Sequence, residues 1–203
     1  MENPKDREEA ILAEVGRITL SWNSLEETLE ALIWHYLGGP EKGHIVTTLL
    51  GNASRQDALD ALVAQAEAIP KIAEHLKCFS QAFETLRINR NTIVHSISFA
   101  ITHDGEEFFF ERRKKSIQTR EYDTQRRPVA ALQALAAQIT GLREYGNTIL
   151  AIMKRRAGLI EQPFYDWDKP PAWPERFPIP EKLSQPPPQT HGKRKNQPPP
   201  SGE

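Results

Sequence analysis

The sequence predicts an all-α fold: an antiparallel helical bundle of about four main helices with an inserted β-hairpin and a disordered Pro-rich C-terminal tail. Three observations predict it. Apolar residues recur at alternating steps of three and four in three long stretches, the signature of helices buried along one stripe. One short stretch instead alternates apolar and polar residues around Asp104-Gly105. Finally, 12 of the 16 prolines fall between Pro163 and Pro200. The 203 residues therefore divide into a globular part, residues 1–162, with the hairpin at about 97–112, and an extended tail, residues 163–203.

The first stretch carries Ile11, Val15, Ile18, Trp22, Leu25, Leu29, Leu32 and Tyr36 on one face. Asn3 is placed to cap it, Pro4 to open its first turn and Gly38-Gly39 to stop it. Pro40 begins a short piece through Leu50, and Gly51-Asn52 breaks the chain again. Ser54-Arg55-Gln56-Asp57 resembles a capping box for a helix carrying Leu59, Leu62, Val63 and Ala66. Pro70 opens the second long helix, in which Ile72, Leu76, Phe79, Phe83, Leu86, Arg90 and Ile93 share a seam that ends at about His95. The sixth position of that seam is an arginine.

After His95 the period becomes two. Ile97, Phe99 and Ile101 alternate with Ser96, Ser98, Ala100 and Thr102, and Asp104-Gly105 suits a two-residue turn that sets Ile101 opposite Phe108 and Phe99 opposite Phe110. An isolated ribbon is marginal, so its apolar face must lie on a helix or on another subunit. Pro128 starts the last helix, with Leu132, Leu135, Ile139, Leu142, Gly146, Ile149 and Met153 on its stripe. Gly146 there implies a close helix approach, Lys154-Arg155-Arg156 suit the last turn, and Gly158 is the expected stop. In the tail, the aromatic stretches around Phe164-Trp167 and Trp173-Phe177 are suited to lie extended over the bundle. From Gln185 onward the chain reads as polyproline-like and solvated.

The net charge of −1 hides an asymmetry: residues 1–86 carry 7 Lys/Arg and 14 Asp/Glu, residues 87–203 carry 19 and 13. The whole gives no push toward nucleic acid, but the second half can present a local basic surface. The single cysteine, Cys78, excludes an intrachain disulfide framework and a multi-cysteine zinc site, and fits a reducing compartment. No signal peptide and no membrane span are expected, so a cytoplasmic location is. The histidines show no metal-ligand spacing, so neither a metal site nor a cofactor is expected.

The chemistry concentrates in Arg87-Ile88-Asn89-Arg90-Asn91-Thr92-Ile93-Val94-His95. Arg87, Asn91 and His95 are four apart and share one stripe, with Arg90 beside them. A buried unpaired charge is costly, so Arg90 must meet a carboxylate, water or an anionic ligand, and Glu26, Glu27 or Glu30 could supply an ion pair. His95 is either an ordinary helix-end histidine or a proton carrier, imidazole being the side chain that titrates near neutral pH. Arg112-Arg113-Lys114-Lys115, Arg126-Arg127 and Lys154–Arg156 are basic runs able to contact phosphates, although such runs are commonly solvated faces.

Arg90-Asn91-Thr92-Ile93-Val94-His95 resembles the Arg-x4–6-His signature of the HEPN superfamily of helical-bundle proteins, which often has a polar residue after the arginine. Trp22-Asn23-Ser24-Leu25-Glu26-Glu27-Thr28-Leu29 is similar to the first long helix of many bacterial members, and the resemblance covers roughly residues 5–157. It implies a homodimer whose motif helices face one cleft and, in active members, a metal-independent endoribonuclease, many of which serve toxin–antitoxin or phage-defence systems. The implied roles are His95 as general base or acid, Arg90 on the scissile phosphate, and Asn91 orienting either. Arg87, Arg112, Arg113, Lys114 and Lys115 would bind RNA. An antitoxin or regulatory partner would be a separate protein. The competing expectation is a non-catalytic module of the same superfamily for nucleotide or RNA binding, or for protein–protein interaction.

Overall fold

A computed structural model describes residues 4–96, 98–102, 107–113, 122–158 and 173–183. The chain runs α1 (Pro4–Tyr36), α2 (Pro40–Thr48), α3 (Asn52–Ala66), α4 (Pro70–Val94), β1 (Ser98–Ile101), β2 (Glu107–Arg113), β3 (Tyr122–Pro128) and α5 (Ala130–Arg156). The fold is mainly helical, as expected. Among the described residues no helix is long and apolar enough to cross a membrane.

The apolar stripes account for the packing. Trp22, Leu25, Leu29 and Leu32 of α1, Phe79, Phe83 and Leu86 of α4, and Leu132, Ile139, Leu142 and Ile149 of α5 are all buried in one core. Ser21 faces Thr140 and Thr28 faces Asn147, so α1 and α5 run in the same direction. The Trp22 ring meets that of Phe83 at 4.9 Å, whereas Thr28 and Phe79 converge on Gly146, so α4 runs against both. A Cβ on Gly146 would lie 2.6 Å from Phe79 Cε2 and 2.8 Å from Thr28 Cγ2, which is the close approach that the glycine on the stripe implies.

The turn after α1 is made by Gly38 and Gly39, both at positive φ (83° and 130°), where a side chain would be strained. The short α2 then folds back on α1, and the Trp34 indole donates to Thr47 Oγ1 at 3.1 Å. The expected capping box at Ser54 does not form. Helix α3 begins at Asn52 with Gly51 as its cap and no side-chain cap bond, which puts Ser54 inside the first turn. The start is pulled forward because Asn52 donates its amide to Glu26 of α1. Asn3, the expected cap of α1, and the Asp104-Gly105 turn lie outside the described residues.

The hairpin has the register its alternation predicts, with Phe99 opposite Phe110 and Ile101 opposite Phe108. It is extended by a third antiparallel strand, which sets Phe108 opposite Arg127 and Phe110 opposite Gln125. Phe108 is fully buried in the helical core and Gln125 is nearly so, so at these positions the sheet packs on its own bundle. Arg126 covers the outer face, its guanidinium 5.5 Å from the Phe109 ring centre. The sheet contacts α1 and the start of α5, and therefore sits at the end of the bundle where α4 stops. Pro128 closes β3, and α5 starts two residues later behind Val129.

Part of the tail belongs to the bundle. Residues 173–183 form an extended strap along α4, with Pro180 buried and Trp173, Phe177 and Leu183 packed against the core. The aromatic stretch Trp173–Phe177 thus lies extended over the bundle, as its sequence led us to expect, and the contact continues to Leu183. Residues 159–172 and those after 183 lie outside the described set.

Candidate functional site

Helix α4 ends as its sequence asks. Thr92 Oγ1 turns back to the Ile88 carbonyl at 2.9 Å and Ser96 Oγ to the Thr92 carbonyl at 2.7 Å. The second gives a partner to one of the helix's last four carbonyls, which have none within it. His95 is the C-cap, leaving helical geometry at ψ 17° while its N–H still reaches the Asn91 carbonyl at 3.2 Å. Strand β1 begins at Ser98.

On this last turn Arg90 and Asn91 come together. Arg90 Nη1 donates to Asn91 Oδ1 at 3.0 Å, and Arg90 Nε is buried with no hydrogen-bond partner. The expected ion pair to α1 is absent among the described residues. Glu26 accepts from the Trp22 indole and from Asn52 Nδ2, while Glu30 is held by Arg55 at 2.7 Å. Glu27 is exposed. The reason is topological, since the acidic side of α1 faces α3 and not α4. What remains is a partly buried guanidinium whose neighbour is a neutral amide.

His95 is exposed, and no contact joins its imidazole to Arg90 or Asn91. Arg87 is engaged elsewhere. Its guanidinium binds Glu84 through two hydrogen bonds of 2.8 Å, a bidentate pair one turn back on the same helix. Arg112 and Arg113 occupy the end of β2, opposite Asp123 and Tyr122 in the ladder. Lys114 and Lys115 lie outside the described residues. Among the described residues no group of three or more His, Cys, Asp or Glu side chains is arranged to hold a metal ion.

The seam of α4 also differs from the expected one in its last turns. The polar residue it buries is Asn89, 3% exposed, while Arg90 sits at the edge. Asn89 Nδ2 donates to the Glu181 carbonyl at 3.0 Å, and its Oδ1 accepts the Leu183 N–H at 2.8 Å. Sequence spacing held a signal for this, because Asn89 is three residues from Leu86 and four from Ile93 and so fits the stripe as well as Arg90 does.

A second polar cluster lies under the strap's other end. The buried His75 has its Nδ1 2.7 Å from Tyr145 Oη and stacks on the Trp173 ring at 5.2 Å, 9° from parallel. Cys78 Sγ donates to the Phe177 carbonyl at 3.1 Å. Burial first, then the cations Lys71 and Arg176, push the His75 imidazole below its ordinary pKa, against Glu74. Burial and the Cys78 thiol raise the Tyr145 phenol. A groove of about 790 Å³ runs between α3, α4 and the strap, with Gln56, Asp60, Ser80 and Ile179 among its lining. Arg90 and His95 do not line it.

No protein-family profile, curated protein or solved structure matches the chain.

Proposed function

We propose that the chain is a HEPN-type, metal-independent endoribonuclease that acts as a homodimer, with Arg90 and His95 of each subunit facing a shared cleft. The observation that carries the reading is the guanidinium of Arg90: partly buried, with Nε unpartnered and no carboxylate of the described residues against it. A cation in that state is stabilised by an anion with several acceptor oxygens, and a phosphodiester is such an anion. Asn91 holds the guanidinium at Nη1 and leaves Nη2 to donate.

In the proposed reaction an imidazole takes the proton of a ribose 2′-hydroxyl, and that oxygen attacks the adjacent phosphorus. The bond from phosphorus to the 5′-oxygen breaks, and an imidazolium returns a proton to the leaving oxygen. The products are a 2′,3′-cyclic phosphate and a 5′-hydroxyl. Arg90 stabilises the charge that develops on the non-bridging oxygens. Arg112, Arg113, Lys114 and Lys115, together with Arg87 if it exchanges Glu84 for a phosphate, would extend a cationic track for the RNA backbone. A role in phage defence, or as a toxin held by a separate antitoxin protein, is the biological form of this reading.

The exposure of His95, with no hydrogen-bond partner among the described residues to orient its ring, favours a second reading in which the same residues bind RNA or a nucleotide without turnover. Incubating the purified protein with RNA in the presence of a chelator separates the two. The nuclease yields fragments with cyclic phosphate ends; the binding module retains RNA and leaves it intact.

A further inference from the structure

We propose that Asn89 is a positioning residue for the Arg90–Asn91 pair, acting through the C-terminal strap. Its amide uses donor and acceptor on two backbone groups of the strap, the Glu181 carbonyl and the Leu183 N–H, as a neighbouring β-strand residue would. It is buried, and it directly precedes Arg90 in the chain.

The strap is held at a second, distant point. Trp173 stacks on His75, the Phe177 carbonyl accepts from Cys78, and the Phe177 ring lies 5.9 Å from that of Tyr145 on α5. His75 and Asn89 are 14 residues apart, about 21 Å along the helix. The strap thus splints α4 from its first turns to the turn that carries Arg90. Around the last turns α4 is held to the core by Leu86, Ile93 and Val94, which are apolar contacts, while the hydrogen bonds of Arg87 to Glu84 and of Ser96 to Thr92 stay within or just after the helix. The bonds of Asn89 to Glu181 and Leu183 tie this turn to a distant part of the chain. Apolar contacts alone fix the helix's rotation loosely, so without these directional bonds the last turn can shift and carry Arg90 away from its anion.

The proposal rests on the reading of Arg90 as the phosphate-binding group, and two variants test it from opposite sides. Asn89→Leu removes the amide; Leu183→Pro removes the N–H it accepts without altering α4. The probe is a 2′-deoxy oligonucleotide, which lacks the attacking hydroxyl and so reports binding alone. Each variant should weaken its affinity by about five- to tenfold, and the double variant by no more than either alone. In an Arg90→Met background Asn89→Leu should change nothing further. An undiminished loss in that background, or no loss in either single variant, overturns the proposal.

Amide hydrogen exchange of the free protein gives a reading independent of any ligand. Residues 90–95 should exchange faster in both variants while residues 72–86 stay as in wild type, and unchanged exchange at 90–95 also overturns it. A protein that binds the probe yet leaves RNA intact would defeat the nuclease reading and leave the clamp standing.

Discussion

Arg90 and Asn91 are joined by a 3.0 Å hydrogen bond from Nη1 to Oδ1, although successive residues of a helix project about 100° apart. The long arginine side chain must fold sideways across the helix to make it. That bend holds Nε in a buried position where no described group accepts from it. The arrangement costs stability and fixes a guanidinium next to the helix end, a combination expected where a group is kept for binding rather than for folding.

Arg90→Met should therefore leave the protein as stable as wild type, or more stable, because an unsatisfied buried N–H costs about 1–3 kcal/mol. Urea unfolding checks this. A loss above about 1 kcal/mol would mean that the guanidinium has a structural partner after all.

Gly146→Ala should destabilise by about 1–3 kcal/mol, since its new methyl would lie 2.6 Å from the Phe79 ring and 2.8 Å from Thr28 Cγ2. The control is Gly16→Ala on α1, where nothing lies within 4 Å of the added carbon. That substitution should stabilise by about 0.4–1 kcal/mol through the lower entropy of the unfolded chain. Denaturation midpoints of the two variants should move in opposite directions.

Folding should weaken as the solution is made mildly acidic. Burial and the cations Lys71 and Arg176 keep His75 below its ordinary pKa, so between that lowered value and about 6.5 the unfolded chain binds the extra proton. The contribution is fully present above about pH 6.5 and is lost as pH falls through the folded value. Burial lowers His35 in the same direction. His75→Phe keeps a ring against Trp173 and removes the titrating group. Its stability should fall less steeply from pH 7.5 to pH 5, the change being at most about 1.4 kcal/mol per pH unit. Equal slopes would remove His75 from the account.

The helices were legible because each buried stripe keeps one spacing for many turns, as from Ile11 to Tyr36 and from Leu132 to Met153. The Phe99–Phe110 and Ile101–Phe108 pairs were legible because a two-residue turn admits one register. Three features were not. The third strand, Tyr-Asp-Thr-Gln-Arg-Arg-Pro, is almost wholly polar and shows no apolar alternation, since Gln125 takes the inward position facing Phe110. The partner of Glu30 depended on which helix lies beside the acidic face of α1, and Arg55 of α3 takes it, a matter of topology rather than of spacing. The strap's anchorage depends on Asn89, His75 and Cys78, which local periodicity cannot distinguish from ordinary seam neighbours.

Cleavage of a defined RNA by wild type and by His95→Ala, both folded and both in excess chelator, tests the central claim most directly. The account predicts cyclic-phosphate ends from wild type and a rate lower by about 10²–10⁴ in the variant, the usual weight of a general acid–base group. Equal rates from the two proteins would contradict it.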